Sequence, residues 1–140
     1  MTLIVDAAPL IALADRADPR REAVRALLRE EEGELVVPVQ VTTEADYLLG
    51  SRHDSLARRA FLDDLAAGRF AVACLEQEDY ATVAELERSY DDIDVGLADC
   101  SMVVLAQRFG TRRLATFDER HFRAVRPLQG GIFEILPVPQ

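Results

Sequence analysis

Five short apolar runs recur along the chain: TLIV (2–5), ELVVP (34–38), FAVACL (70–75), RRLATF (112–117) and GIFEIL (131–136). Each is too short to be a buried helix and suits a strand. The segments between them read as helices. One covers 8–14, with Pro9 in its first turn. The next starts at Asp18-Pro19, carries Ala23, Val24, Leu27 and Leu28 on one face, and stops at Gly33. Further helices are expected over about 40–51, about 54–67, 76–90 and 96–109, and DERHFRAV gives a short helix or turn. Parallel strands need long crossovers, and helices fill them. The alternation therefore predicts one α/β domain over 1–140, with a mainly parallel sheet of four to five strands covered by helices on both faces. In such sheets ligands sit beyond the carboxyl ends of the strands.

Composition narrows the chemistry. The chain has 140 residues, 25 acids and 16 bases, a formal charge of −9. All of its bases are arginine. Without lysine there is no P-loop, no Schiff base and no receiver-type phospho-acceptor site. Strong acidity argues against non-specific binding to duplex nucleic acid. No apolar run reaches the ~18 residues of a membrane span. The first residues lack a basic leader and carry Asp6 in their apolar stretch, so no export signal is expected. Cys74 and Cys100 then read as buried free thiols of a cytoplasmic protein.

The acids carry the functional signal. Asp6 directly follows the first strand, and Asp118 follows LATF. At about 100° per residue, Asp99 falls in line with Met102, Val103 and Ala106, on the apolar face of its helix, with Ser101 and Arg108 nearly opposite. A lone carboxylate on a buried stripe costs several kcal/mol unless something pairs it. Glu44 flanks the stripe of Val41, Ala45 and Leu48, while Asp46 points away as a solvated acid. Each acid has an ordinary explanation as a turn former, helix cap or edge group. Together, four acids could converge at the carboxyl edge of the sheet, where a divalent cation would offset their repulsion. Oxygen-only ligation selects a hard ion, Mg²⁺ or Mn²⁺. His53 and His121 keep no metal-motif spacing to a cysteine and read as surface or packing residues.

IVDAAPLIAL, TTEADYLL, GLADCSMVVLAQRFG and LATFDERHF, in that order, resemble the PIN domain, and most closely its VapC-type toxins of bacterial toxin–antitoxin pairs. The resemblance spans nearly the whole chain. It implies a metal-dependent endoribonuclease that hydrolyses RNA phosphodiester bonds by metal-activated water, leaving 5′-phosphate and 3′-hydroxyl ends. It assigns Asp6, Glu44, Asp99 and Asp118 as catalytic and metal-binding, with Asp6 and Asp99 as primary ligands of Mg²⁺ or Mn²⁺. Thr116 matches a hydroxyl residue that holds a metal-bound water, and Asp94 either adds to the acidic edge or caps the 96–109 helix. The family often has Ser or Thr where Ala8 stands, which leaves fine positioning at the site in question. A VapB-type antitoxin and homodimerisation are also implied, with the faces of 41–49 and 56–65 as candidate dimer surfaces.

Arg16, Arg20 and Arg21, with Arg25 and Arg29, cluster on and before the second helix; Arg52, Arg58 and Arg59 form another group. They read either as a solvated face balanced by Glu22, Glu30, Glu31 and Glu32, or as RNA- or antitoxin-contacting residues. Two competing functions remain. A phosphatase with an aspartyl nucleophile would want an acid at position 8 and a lysine. A PIN-like module that binds RNA or a partner without cutting would be expected to lack one of the four acids, and all four are present.

Overall fold

The computed structural model describes residues 1–139. Five parallel strands, β1 (Leu3–Val5), β2 (Leu35–Pro38), β3 (Ala71–Ala73), β4 (Arg113–Ala115) and β5 (Glu134–Leu136), form one sheet in the order β3-β2-β1-β4-β5. Seven helices connect them: α1 (Ala7–Ala14), α2 (Arg21–Glu30), α3 (Val39–Arg52), α4 (Ser55–Ala66), α5 (Asp79–Ser89), α6 (Leu97–Arg108) and α7 (Glu119–Ala124). The chain winds outward from β1 through β2 to β3, then returns to β4 on the other side of β1 and goes on to β5. Right-handed crossovers in opposite directions place their helices on opposite faces. The point of reversal lies between β1 and β4, where a crevice opens at the carboxyl ends.

The expected elements are present, with trimmed ends. The second helix begins at Arg21, because the Asp18 carboxylate accepts the Arg20 backbone N–H at 2.8 Å and holds the preceding residues in a turn. Asp54 caps α4 by accepting from the Ala57 N–H at 2.9 Å. Gly110, at φ +65, ends α6 in the left-handed conformation that glycine adopts without a Cβ penalty.

The central strands are buried on both sides: Leu3, Ile4, Val5, Val36, Val37, Leu114 and Ala115 belong to the core. α6 is buried nearly all round. Ser101, expected opposite the apolar face, is fully buried and donates to the Leu97 carbonyl at 2.7 Å. α5 packs over the outside of α6, so a helix that looked amphipathic has no wet face along that stretch. Of the 41–49 face, Val41, Ala45 and Leu49 are core, while Leu48, expected on that stripe, is half-buried; Tyr47, Leu56 and Leu62 are the large apolar side chains left outside on α3 and α4 among the described residues. Cys100 is buried as expected, but Cys74, just past the edge strand β3, is exposed. The Cys74 carbonyl accepts from Arg108 Nη1 at 2.7 Å, and Arg108 also pairs with Asp79.

The core predicts a contrast. Leu105, fully buried on α6, should cost about 2–5 kcal/mol when cut to alanine. Leu62→Ala on exposed α4 should stay within about 0.5 kcal/mol. Urea denaturation of the two variants measures both.

Candidate active site

Asp6 is the first residue after β1, and its backbone N–H continues the β1–β4 pairing by donating to the Ala115 carbonyl at 2.8 Å. Its side chain caps α1: Oδ1 accepts the Ala7 N–H at 2.8 Å. Oδ2 accepts from the Thr116 hydroxyl at 2.7 Å. Thr116 lies just past β4, almost fully buried, and its Oγ1 accepts the Asp118 N–H at 3.0 Å. One hydroxyl thus joins the loops that follow β1 and β4. Its proton is committed to Asp6, so it positions a carboxylate instead of facing the cavity.

Asp118 caps α7 by accepting the His121 N–H at 3.2 Å. The cap leaves its Oδ2 free to face the other acids. Asp99 comes from the first turn of α6, whose N-cap is Gly96, and Glu44 from the middle of α3. Asp6, Glu44, Asp99 and Asp118 line one cavity of 460 Å³ at the switch between β1 and β4, with Ala8 and the Gly96–Ala98 segment completing its wall. Ala8 brings a methyl group where a hydroxyl would reach toward the acids.

Their crowding has an electrostatic signature. Burial, chiefly, raises Asp6 above the ordinary 3.8 of an aspartate, against the hydrogen bonds from Thr116 and Ala7 that pull it down; Asp118 pushes it further up. Burial and then the Asp6 charge raise Asp99, opposed by His121. Glu44, though largely exposed, is raised by partial burial and by Asp6 and Asp99. Three carboxylates destabilised as anions beside one another form a donor set that fits a divalent cation.

His121 is the residue that sequence reasoning missed. Its Nδ1 lies 2.8 Å from Asp118 Oδ2 and 3.1 Å from Asp99 Oδ2. One donor atom from each of Asp99, Asp118 and His121 falls within a 4.8 Å group. The signal was present as spacing: His121 follows Asp118 by three residues, which places both on one face of a helix. Asp94 departs from expectation. It sits exposed in the turn before α6 at φ +48, a conformation Asp tolerates, and is not among the described residues lining the cavity. The cap position it was expected to fill belongs to Gly96, which has no side-chain acceptor. Burial pushes the Cys100 thiol up to about 11, so it stays protonated and is no ligand at neutral pH.

Of the basic cluster, Arg21 donates to the Leu13 carbonyl at 2.9 Å and Arg25 pairs with Glu22 at 3.0 Å. Arg16 is exposed and makes no ion pair among the described residues. Arg20 and Arg52 line a cavity that adjoins the acids, sharing Ala8 and Glu44 with theirs.

A family model described as the PIN domain matches residues 3–127. The chain is 37% identical over 135 residues to Ribonuclease VapC26 of Mycobacterium tuberculosis, covering 96% of this chain and all of the relative. Among solved structures, the Mycobacterium tuberculosis sarcin–ricin loop cleaving toxin VapC20 superposes with a TM-score of 0.76 at 18% identity, over 84% of this chain and 90% of that one. VapBC2 from Rickettsia felis, bound to a DNA fragment from their promoter, gives 0.68 at 14% identity, over 96% and 98%. FitAcB from Neisseria gonorrhoeae gives 0.57 at 14% identity, over 81% and 86%.

Two predictions follow from the geometry. Acids raised in the folded state favour folding at low pH, and that contribution is lost as pH rises from about 4 through the raised values. Metal-free protein should therefore gain thermal stability from Asp99→Asn at pH 7, by a few degrees, and the gain should vanish near pH 4; melting curves at the two pH values decide it. Separately, Thr116→Val should cost about 1–3 kcal/mol by stranding Asp6 Oδ2 and the Asp118 N–H, and Thr116→Ser should recover most of it in chemical denaturation.

Proposed function

The chain belongs to the PIN domain family, and from that membership we propose that it is a metal-dependent endoribonuclease, the toxin of a toxin–antitoxin pair. The observation that carries this reading is the convergence of Asp6, Glu44, Asp99 and Asp118 on one cavity at the switch point of the sheet. The ribonuclease name of its 37% identical relative supports the same activity.

Asp6, Asp99, Glu44 and Asp118 would hold Mg²⁺ or Mn²⁺, with His121 at the edge of the set. The bound ion supplies Lewis-acid polarisation of the phosphate, a lower pKa for attacking water and charge stabilisation of the leaving oxygen. The protein's part is positioning. Ala7 N–H and the Thr116 hydroxyl fix both oxygens of Asp6. His121 ties Asp99 to Asp118 across two elements. Arg20 and Arg52, in the adjoining cavity, provide positive charge for phosphates that flank the scissile one.

An antitoxin fits the apolar trough between α1 and α4, a cavity of 340 Å³ lined by Leu10, Leu13, Leu49, Phe61 and Phe70, with Asp54 and Asp64 among its walls. An amphipathic helix with basic flanks matches that lining. Self-association would use the exposed Tyr47 and Leu62.

The test is cleavage of total RNA in Mg²⁺ or Mn²⁺, with fragment ends mapped. Cutting is expected with either ion and is lost with EDTA. Partners behind metal ligands alone are worth about 10- to 100-fold, so Asp6→Ala and Asp99→Asn should lower cleavage by more than about a hundredfold. Full cleavage by both variants overturns the assignment, and RNA bound intact by the wild type in Mn²⁺ favours a non-cutting binding module.

A further inference from the structure

The acidic cavity opens toward α2. Ala8 and Glu44 line a second cavity of 470 Å³ that continues to Asp18, Arg20 and Arg52. Arg20 in turn lines a third cavity, also of 470 Å³, on its other side. Arg20 is the one residue common to the linings of these two cavities.

Arg20 is tightly held for an exposed arginine. Its Nε and Nη2 donate to the two oxygens of Asp18 at 3.1 and 3.0 Å. Its guanidinium carbon lies 3.9 Å from the centre of the Phe117 ring. A cation above an aromatic face is attracted by the ring quadrupole. Nη1 makes no hydrogen bond among the described residues. The rotamer entropy that a long side chain loses on binding is thus largely lost beforehand.

The third cavity differs in chemistry from the other two. Pro19, Phe117, Pro137 and Val138 give it flat apolar walls, and Glu119 is its one carboxylate. Thr116 forms part of this lining and Asp6 part of the acidic one, so a single hydrogen bond links a residue of each cavity. Arg20, its one lining cation, is already paired with Asp18, and Glu119 keeps an oxygen free beside its 3.3 Å pair with Arg123, so the cavity disfavours a phosphate. Its walls suit a planar ring, with Glu119 accepting from a ring N–H or exocyclic amine. The volume lies in the range of small-ligand clefts.

The geometry points to a nucleobase subsite: a base next to the scissile phosphate leaves the strand at Arg20 and stacks in the Phe117–Pro137 cavity. The inference rests on the ribonuclease reading and adds to it a determinant of where the enzyme cuts. Phe117 and Arg20 act by positioning substrate; neither reaches the reacting phosphate. A single platform of this kind reads one base, which agrees with the scarcity of aromatic residues in the chain.

The test is a cycle between protein and RNA. A short oligoribonucleotide carrying the mapped cut site is synthesised intact and with an abasic ribose at each flanking position in turn. Wild type, Phe117→Ala and Arg20→Ala are compared in Mn²⁺ by kcat/KM, together with equilibrium binding in Ca²⁺. Phe117→Ala should lower kcat/KM roughly 10- to 100-fold on intact RNA, the scale of one lost base stack. At one flanking position the abasic RNA should cost wild type a similar factor and the Phe117 variant almost nothing more. Arg20→Ala, at an exposed position, should show the same position-specific coupling and guards against misfolding of the Phe117 variant. Losses that multiply independently at every position, with wild type still cutting, overturn the subsite alone. Failure of wild type to cut any RNA overturns the ribonuclease reading beneath it.

Discussion

Four carboxylates facing one cavity would, left to themselves, protonate or push the surrounding loops apart. The local architecture offsets that repulsion with dipoles, a hydroxyl and an imidazole. Asp6 spends one oxygen on the N-terminus of α1 and the other on Thr116. Asp118 spends one on the N-terminus of α7 and turns the other to His121. Asp99 sits in the first turn of α6, where the helix dipole favours an anion, and shares His121. These contacts offset part of the repulsion. Burial, first, and the charges of neighbouring acids still raise Asp6, Glu44 and Asp99, and a divalent ion would relieve both costs.

The sheet topology sets the meeting place. Winding outward in both directions from β1 leaves the carboxyl ends of β1 and β4 side by side, with no crossover helix between them. Asp6 and Thr116 stand at those two ends, so the hydrogen bond between them spans a sequence separation of 110 residues. The buried runs in β1, β2 and β4 and the surrounding helices serve to hold that gap at a fixed width.

Legibility in the sequence followed the physics of each feature. The strand–helix alternation is a local pattern, and all five strands and seven helices lie close to where it puts them. The four acids stood out because each occupied a place where a carboxylate is costly or is a boundary residue. What was lost depended on neighbours distant in the chain. Ser101 looked solvent-facing until α5 covered α6. The Val41–Leu49 stripe looked available for a partner until α1 and α4 packed against α3. His121 was dismissed for lack of metal-motif spacing to cysteine, a test that asks about zinc and overlooks a carboxylate one helical turn away. Asp94 was expected either at the acidic edge or as a helix cap, and the backbone gave the cap to Gly96. Phe117 drew no notice, since its stack with Arg20 exists only once α2 and the loop after β4 are brought together.

The near-total enclosure of α6 has a bearing on how such an enzyme can diversify. Asp99 rides on a helix whose residues from Cys100 to Ala106 are all interior, so almost any exchange there disturbs packing as well as chemistry. The rim is different: α4 carries most of its side chains outward, and α2 buries only Val24 fully. Drift can accumulate on that outer shell while the blade of the scissors stays still. Descendants of one ancestral fold could acquire new targets by repainting the border around an inherited, nearly immutable centre.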